Sequence, residues 1–410
     1  MKLALLCILF FAIVPNLGFF TFLSFMAVTV VFLLLIFSRK LDNTVNPFFL
    51  IVLILYGIVY YGGLYQNTNS IFIGRFLSVL ILIISLIRSV IKKTTLMINP
   101  FIIFVIISIL YIFLSSWTLY NSPFPHVDTF FQFLEAPQKI LVGQNPYHAQ
   151  YTKVYATVKP DYFPYLPFSI IYTFPFVVLF SDPRYGIIFA NIISAYCIYR
   201  LFQSKHKDQI GLLYITAFLL LPRSFYIIEH MYLDSIIYMF FVLFIYWRVK
   251  KNYSLSVFFV SLFFSFKQHL FFLLPLLFQK KHINTLLFFA PFLLALYFFL
   301  IDPQGFIKNI IFYFNPHTIP APVSMSLSLT TLLRNIPILS TTNYIYVIPV
   351  ILFFFMYLSI VQSSRTFVSK VTISVFAFTY LMYQSFYNHY YLVSLFLFLD
   401  ILLEYLTIKV

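Results

Sequence analysis

Apolar runs of about 20 residues recur along the whole chain, and that is the length of one helix crossing a bilayer. Short basic clusters separate them: Arg39-Lys40, Lys92-Lys93, Lys205-His206-Lys207, Lys250-Lys251 and Lys280-Lys281-His282. The pattern predicts an all-α, polytopic transmembrane helical bundle of about 12 to 14 spans, counting re-entrant and broken helices. Composition excludes the alternatives. Of 410 residues, 62% are hydrophobic and 9% charged, against roughly 25% charged in soluble domains. Disorder requires low hydrophobicity, and the mean hydropathy is +0.96. The formal charge of +15 does not indicate nucleic acid, because the basic residues punctuate the apolar runs instead of covering one face. Cys7 and Cys197 both lie inside apolar runs and read as small core residues.

Basic clusters at span ends mark the cytoplasmic side, and counting crossings from them gives a topology. Residues 1–95 form N-terminal transmembrane helices, beginning with a pair over 3–37 broken at Pro15-Asn16-Leu17-Gly18. Residues 96–301 form a core whose first outer loop is 119–163. Residues 302–410 hold a second outer loop and the C-terminal helices. The stretch 164–202 has two apolar runs around Asp182-Pro183-Arg184, one of them re-entrant or partly inserted. The stretch 253–279 is flanked by lysines at both ends, which predicts a hairpin of half-length helices with Lys267-Gln268-His269 at its tip. Backbone broken at membrane depth is tolerated where it lines a protein cavity.

The chain has only eleven acidic residues. Asp128, Glu135, Asp161, Glu229 and Asp234 all fall on the outer side of this topology, which is where a pocket is to be sought. Asp128 opens a short amphipathic segment that Pro137 should terminate; on a helix, Asp128 and Glu135 share a face. Asp128 also suits a helix N-cap, and Glu135 suits an i,i+4 pair with Lys139. Glu229 and Asp234, with Arg223 upstream, fit either a solvated loop of ion pairs or a ligand site. Lys267 has apolar sequence on both sides, so its charge needs a partner: Glu229, Asp234 or a bound phosphate. Gln384, Asn388 and His389 sit among tyrosines at an outer helix end. No HExxH zinc pair, glycine-rich phosphate loop or GxSxG elbow is present, so an enzyme of this kind would take its substrates from the membrane.

Three stretches carry a resemblance. They are His126-Val127-Asp128 through Gly143-Gln144-Asn145-Pro146-Tyr147 to Phe163-Pro164-Tyr165-Leu166-Pro167; Ser265-Phe266-Lys267-Gln268-His269 into Leu273-Leu274-Pro275; and Gln384 to Tyr391. In order and sidedness they resemble the integral-membrane glycosyltransferases of the GT-C superfamily, most closely the bacterial alpha-mannosyltransferase-like branch. In that family the first acid often follows the first span, whereas here about five spans precede it. The resemblance implies inverting transfer of a hexose, mannose foremost, from a polyprenyl-phosphate-linked donor to a lipid or glycan acceptor, at the outer face of a plasma (inner) membrane.

It also implies roles. Asp128 would be the general base. Lys267 and His269, with Arg223 or His389, would face the leaving phosphate. Glu135, Glu229 and Asp234 would orient sugar hydroxyls, and Tyr147, Tyr165, Gln384 and Asn388 would line the site. A divalent metal, Mg or Mn, is compatible with this chemistry and not required by it. Membrane lipids are the other expected partners, and nucleic acid is not one. The competing class is a transporter or flippase of lipid-linked saccharides, for which broken helices and buried charges are equally expected; it would favour internal repeats, and none is detectable.

Overall fold

The computed structural model describes residues 1–37, 45–90, 99–155, 160–278, 288–312, 325–336, 344–382 and 385–408. Arg39-Lys40, Asp42, Lys92-Lys93, Lys280-Lys281-His282 and Gln384 lie outside the described residues. The described chain is all-α, with 19 α-helices and no strand among those residues. Four helices are long and apolar enough to cross a membrane: Thr68–Ile87, Pro100–Tyr120, Tyr185–Gln203 and Ile345–Gln362. Most other apolar helices have 10–17 residues, short of a full crossing.

Local chemistry sets several helix starts. Asn99 accepts a hydrogen bond from Phe101 N–H ahead of Pro100, and Asp302 accepts one from Gly305 N–H ahead of Pro303. In both, a capping side chain meets a free amide and proline occupies the first helical position, where no N–H is needed. Asn252, Ser328 and Thr366 cap three further helices in the same way.

The chain forms two compact units. The larger comprises Leu53–Phe271 and His282–Ile319. In it Asp234–Val249 packs along both Tyr253–Phe264 and Tyr185–Gln203. A Cβ on Gly57, in Pro47–Val59, would overlap the Leu220 carbonyl at the end of Asp208–Leu219, so this close approach depends on glycine. Of the two runs in 164–202, Phe168–Phe180 is the short one and Tyr185–Gln203 the long one. The run from Tyr253 breaks after Phe264 and resumes as a 3-10 turn at Gln268, which is the interruption predicted around Lys267. The segment from Asp128 departs from expectation. It forms one helix, Asp128–Leu141, straight through Pro137. A mid-helix proline costs about 3 kcal/mol, and here Phe130, Phe133, Ala136 and Pro137 together form the buried face that offsets it.

The smaller unit comprises Met1–Val52, Phe272–Lys281 and Pro320–Val410. Its central helix, Tyr387–Tyr405, is buried nearly all round. Lys2, at the start of the first helix, pairs with Asp400 at 2.7 Å and Glu404 at 2.6 Å. Phe25 stacks on Tyr380, whose hydroxyl lies 2.9 Å from Thr29 Oγ1. Ile345–Gln362, one of the four helices of membrane-crossing length, instead exposes the apolar side chains Val347, Ile351, Phe354, Phe355 and Leu358.

Candidate functional site

Asp128 stands in the first turn of its helix, where a carboxylate is favoured by the helix dipole. Its Oδ1 accepts the Thr129 N–H at 2.9 Å, and its Oδ2 accepts the Tyr162 hydroxyl at 2.5 Å. The capping position itself belongs to Val127. Burial pushes the Asp128 carboxyl above the usual carboxylate range, while the Tyr162 and Thr129 hydrogen bonds pull it back. Tyr162 is placed by Gln132, whose amide donates to the Tyr162 carbonyl at 3.1 Å. Asp128, Gln132, Thr152, Tyr155 and Tyr162 line a pocket of about 10 Å³, room for about one water.

The Thr129 hydroxyl donates to the His230 carbonyl at 2.6 Å, tying this helix to the turn after Glu229. His230 is ringed by Tyr65, Tyr226 and Tyr232. Its Nδ1 lies 3.1 Å from the Tyr226 carbonyl, an acceptor only, so Nδ1 carries the proton. Burial lowers the imidazole to about 3, so the ring is neutral. Arg223 adopts a left-handed backbone conformation, φ 58 and ψ 19, strained for a side chain of this size. Its guanidinium lies over the Tyr60 ring at 5.0 Å. Among the described residues it pairs with no carboxylate, and its buried Nε has no hydrogen-bond partner.

Glu229 is not in a solvated loop. It is fully buried, and its two oxygens accept the backbone N–H groups of Leu64, at 2.6 Å, and Tyr65, at 3.1 Å. Burial raises its carboxyl above the usual range, against those amides and the nearby Arg184 charge. Arg184 is also buried. It makes a forked contact with Asp182, donates to the Ser122 carbonyl at 2.7 Å, and lies 4.6 Å from the Phe130 ring centroid.

The remaining predicted residues fall elsewhere. Lys267 pairs with Asp234 at 3.2 Å, both buried. The next residue, Gln268, donates to the Ile310 carbonyl at 2.8 Å, and His269 follows it in the same 3-10 turn. Glu135 meets Lys139 at 3.9 Å and accepts the Thr152 hydroxyl at 2.5 Å, while Asp128 accepts that of Tyr162. Tyr147 is a strut, its ring enclosed by Phe163, Phe298 and Phe306 and its hydroxyl donated to the Tyr165 carbonyl at 2.7 Å. Asn388 and His389 belong to the smaller unit. Tyr162, His230 and Arg184 were not singled out from sequence. Among the described residues no three His, Cys, Asp or Glu side chains gather to hold a metal ion.

Gly143 of the Gly-x-x-Pro-Tyr stretch ends the Asp128–Leu141 helix. It has φ +75, and the Gln144 and Gly143 amides donate back to the Lys139 and Ile140 carbonyls, a Schellman closure. A Cβ there meets nothing within 4 Å, so only backbone conformation penalises a side chain. Gly143→Ala is expected to cost about 1 kcal/mol, with Gly143→Asn milder because asparagine tolerates this conformation. Thermal unfolding in detergent measures both, and equal cost for the two would contradict the assignment.

Compared with family models, curated proteins and solved structures, the chain matches none.

Proposed function

We propose that the protein is a multi-pass membrane glycosyltransferase that moves a hexose from a polyprenyl-phosphate-linked donor to an acceptor hydroxyl at the outer membrane face, inverting the anomeric carbon. The observation that carries this reading is the Asp128 carboxylate, held by Tyr162 and Thr129 in a pocket lined by Tyr155. A sugar hydroxyl is a weak nucleophile, and a carboxylate within hydrogen-bond reach takes its proton as it attacks. In this chemistry the acceptor O–H displaces the Tyr162 hydroxyl from Oδ2 and its proton passes to Asp128. The acceptor oxygen bonds to the anomeric carbon, and the pair of the breaking C–O bond leaves on the donor phosphate.

Arg223 is the cation we assign to that phosphate. Lys267 already has Asp234, whereas Arg223 has no carboxylate among the described residues and sits beside Tyr60 and Tyr226. A fixed guanidinium aimed at developing phosphate charge stabilises the transition state. Glu229, with both oxygens given to backbone amides, acts as the anchor of the 64–65 turn beside His230 in place of a direct sugar contact.

The reading is tested by transfer from a panel of polyprenyl-phosphate sugars by protein in nanodiscs. Transfer supports it. No transfer, with movement of a lipid-linked saccharide across liposomes, would replace it by the transporter reading. The pH profile gives a second test. A base must be ionised, so kcat/KM rises with pH through the Asp128 value, which burial places above the ordinary carboxyl range. Tyr162→Phe removes a bond that favours the ionised form, so the acid limb moves to still higher pH. An unmoved limb would remove Tyr162 as the partner of the base. The same shift has a stability sign. A raised carboxyl stabilises the fold while protonated, and that contribution is lost as pH rises through its folded-state value.

A further inference from the structure

A second pocket, about 660 Å³, lies beside the C-terminal end of the Asp128–Leu141 helix. Gln144, Asn145, His148, Gln150 and Asp302 line it, with Lys139 at one side. We propose that this groove binds a neutral oligosaccharide, the chain of the acceptor beyond its reacting sugar; the acceptor role rests on the glycosyl-transfer reading above.

Four observations carry the inference. Its size falls within the range of small-molecule sites and far exceeds the pocket at Asp128. Its chemistry is that of amides, which both donate and accept, as sugar hydroxyls do. Its two charged groups already have neighbours: Lys139 lies 3.9 Å from Glu135, and the Asp302 carboxylate accepts the Gly305 N–H at 2.9 Å and lies 3.4 Å from His148 Nδ1. With one lysine and one acid in its lining the groove carries no excess of either sign to draw an ionic ligand, and a polyhydroxyl one finds partners in the amides.

The walls are also fixed in advance. Asn145 Oδ1 accepts the Tyr147 N–H, the Tyr147 carbonyl accepts from Asn309, and the other end of the Asn309 amide accepts the Phe163 N–H. Gly143 closes the helix just before Gln144. The exposed groups Gln144, His148 and Gln150 thus project from a rigid base, which lowers the ordering cost of binding. Lys139 follows Asp128 by eleven positions on one helix, about 16 Å along its axis. The groove and the Asp128 carboxylate thus stand at opposite ends of one helix, a separation that a chain of several sugars can cover.

The test is calorimetric titration of the full-length protein in nanodiscs with linear manno- and gluco-trisaccharides and with the monosaccharides. Saturable trisaccharide binding is expected, tighter by about tenfold or more than monosaccharide binding and weakened by about tenfold in Gln144→Ala/Gln150→Ala. Both side chains are exposed, so the variant should keep its unfolding temperature. No saturable binding of either trisaccharide, or binding unchanged in the variant, overturns the proposal. Transfer kinetics separate the groove from the reaction. The variant should raise KM for a trisaccharide acceptor and leave kcat and monosaccharide transfer unchanged. Transfer equally efficient to both acceptors removes the groove and keeps the enzyme. Trisaccharide binding that depends on Gln144 and Gln150 without transfer from any donor keeps the groove and removes the enzyme.

Discussion

Asp128→Asn should lower sugar transfer by about 10²–10⁴-fold, the usual contribution of a general base, with little change in fold. Asparagine matches aspartate in shape, and its carbonyl oxygen can still accept from Thr129 N–H or Tyr162 O–H, so the helix start and the pocket wall are kept. What is lost is the site to which the acceptor proton goes. Donor binding should persist, because the phosphate is assigned to Arg223 and not to this carboxyl. The measurement is single-turnover transfer in nanodiscs beside a donor-binding titration. Full activity in the variant would remove Asp128 as base and turn attention to Glu135, which accepts the hydroxyl of Thr152, a residue lining the Asp128 pocket. Loss of donor binding together with transfer would instead mean that Asp128 contacts the donor.

The largest stability effect is expected at Glu229 and Gly63. Glu229→Ala removes the buried acceptor of two part-buried hydrogen bonds, from the amides of Leu64 and Tyr65, at about 1.5–3 kcal/mol for each bond to a charged group, and leaves a cavity. Gly63→Ala attacks the same contact from the other side, since a Cβ at Gly63 would overlap the Glu229 carboxylate. Because both changes act through one contact, their costs should not add, and the double variant should be more stable than the sum of the singles implies. Unfolding of the four proteins in detergent completes the cycle. A Glu229→Ala cost within about 0.5 kcal/mol of zero, the range of an ordinary surface change, would mean that the carboxylate anchors nothing.

The helical class and the break near Lys267 were legible because they are written locally, as apolar run length and as a charge inside such a run. The fate of the charges was not. Glu229 and Asp234 look alike in sequence, each a lone acid beside an apolar run. One gives both oxygens to amides about 165 positions earlier and the other takes Lys267. Tyr162 is 34 positions from Asp128, and no periodicity links a loop tyrosine to a helix-start acid. Pro137 misled for a related reason. Its local preference ends a helix, and the packing of Phe130 and Phe133, set by distant residues, keeps the helix going.

The pairing of Lys2 with Asp400 and Glu404 has a consequence for biosynthesis. The first helix is made long before its counter-charges. Until the residues near position 400 have been translated, its ammonium has neither carboxylate, and the smaller unit, assembled from both halves of the chain, cannot close. The larger unit draws on nearly contiguous sequence and can complete first, since local contacts form at less entropic cost than remote ones. Packing of this chain would therefore proceed from the middle outwards, with the helix that carries Lys2 waiting for the one that carries Asp400.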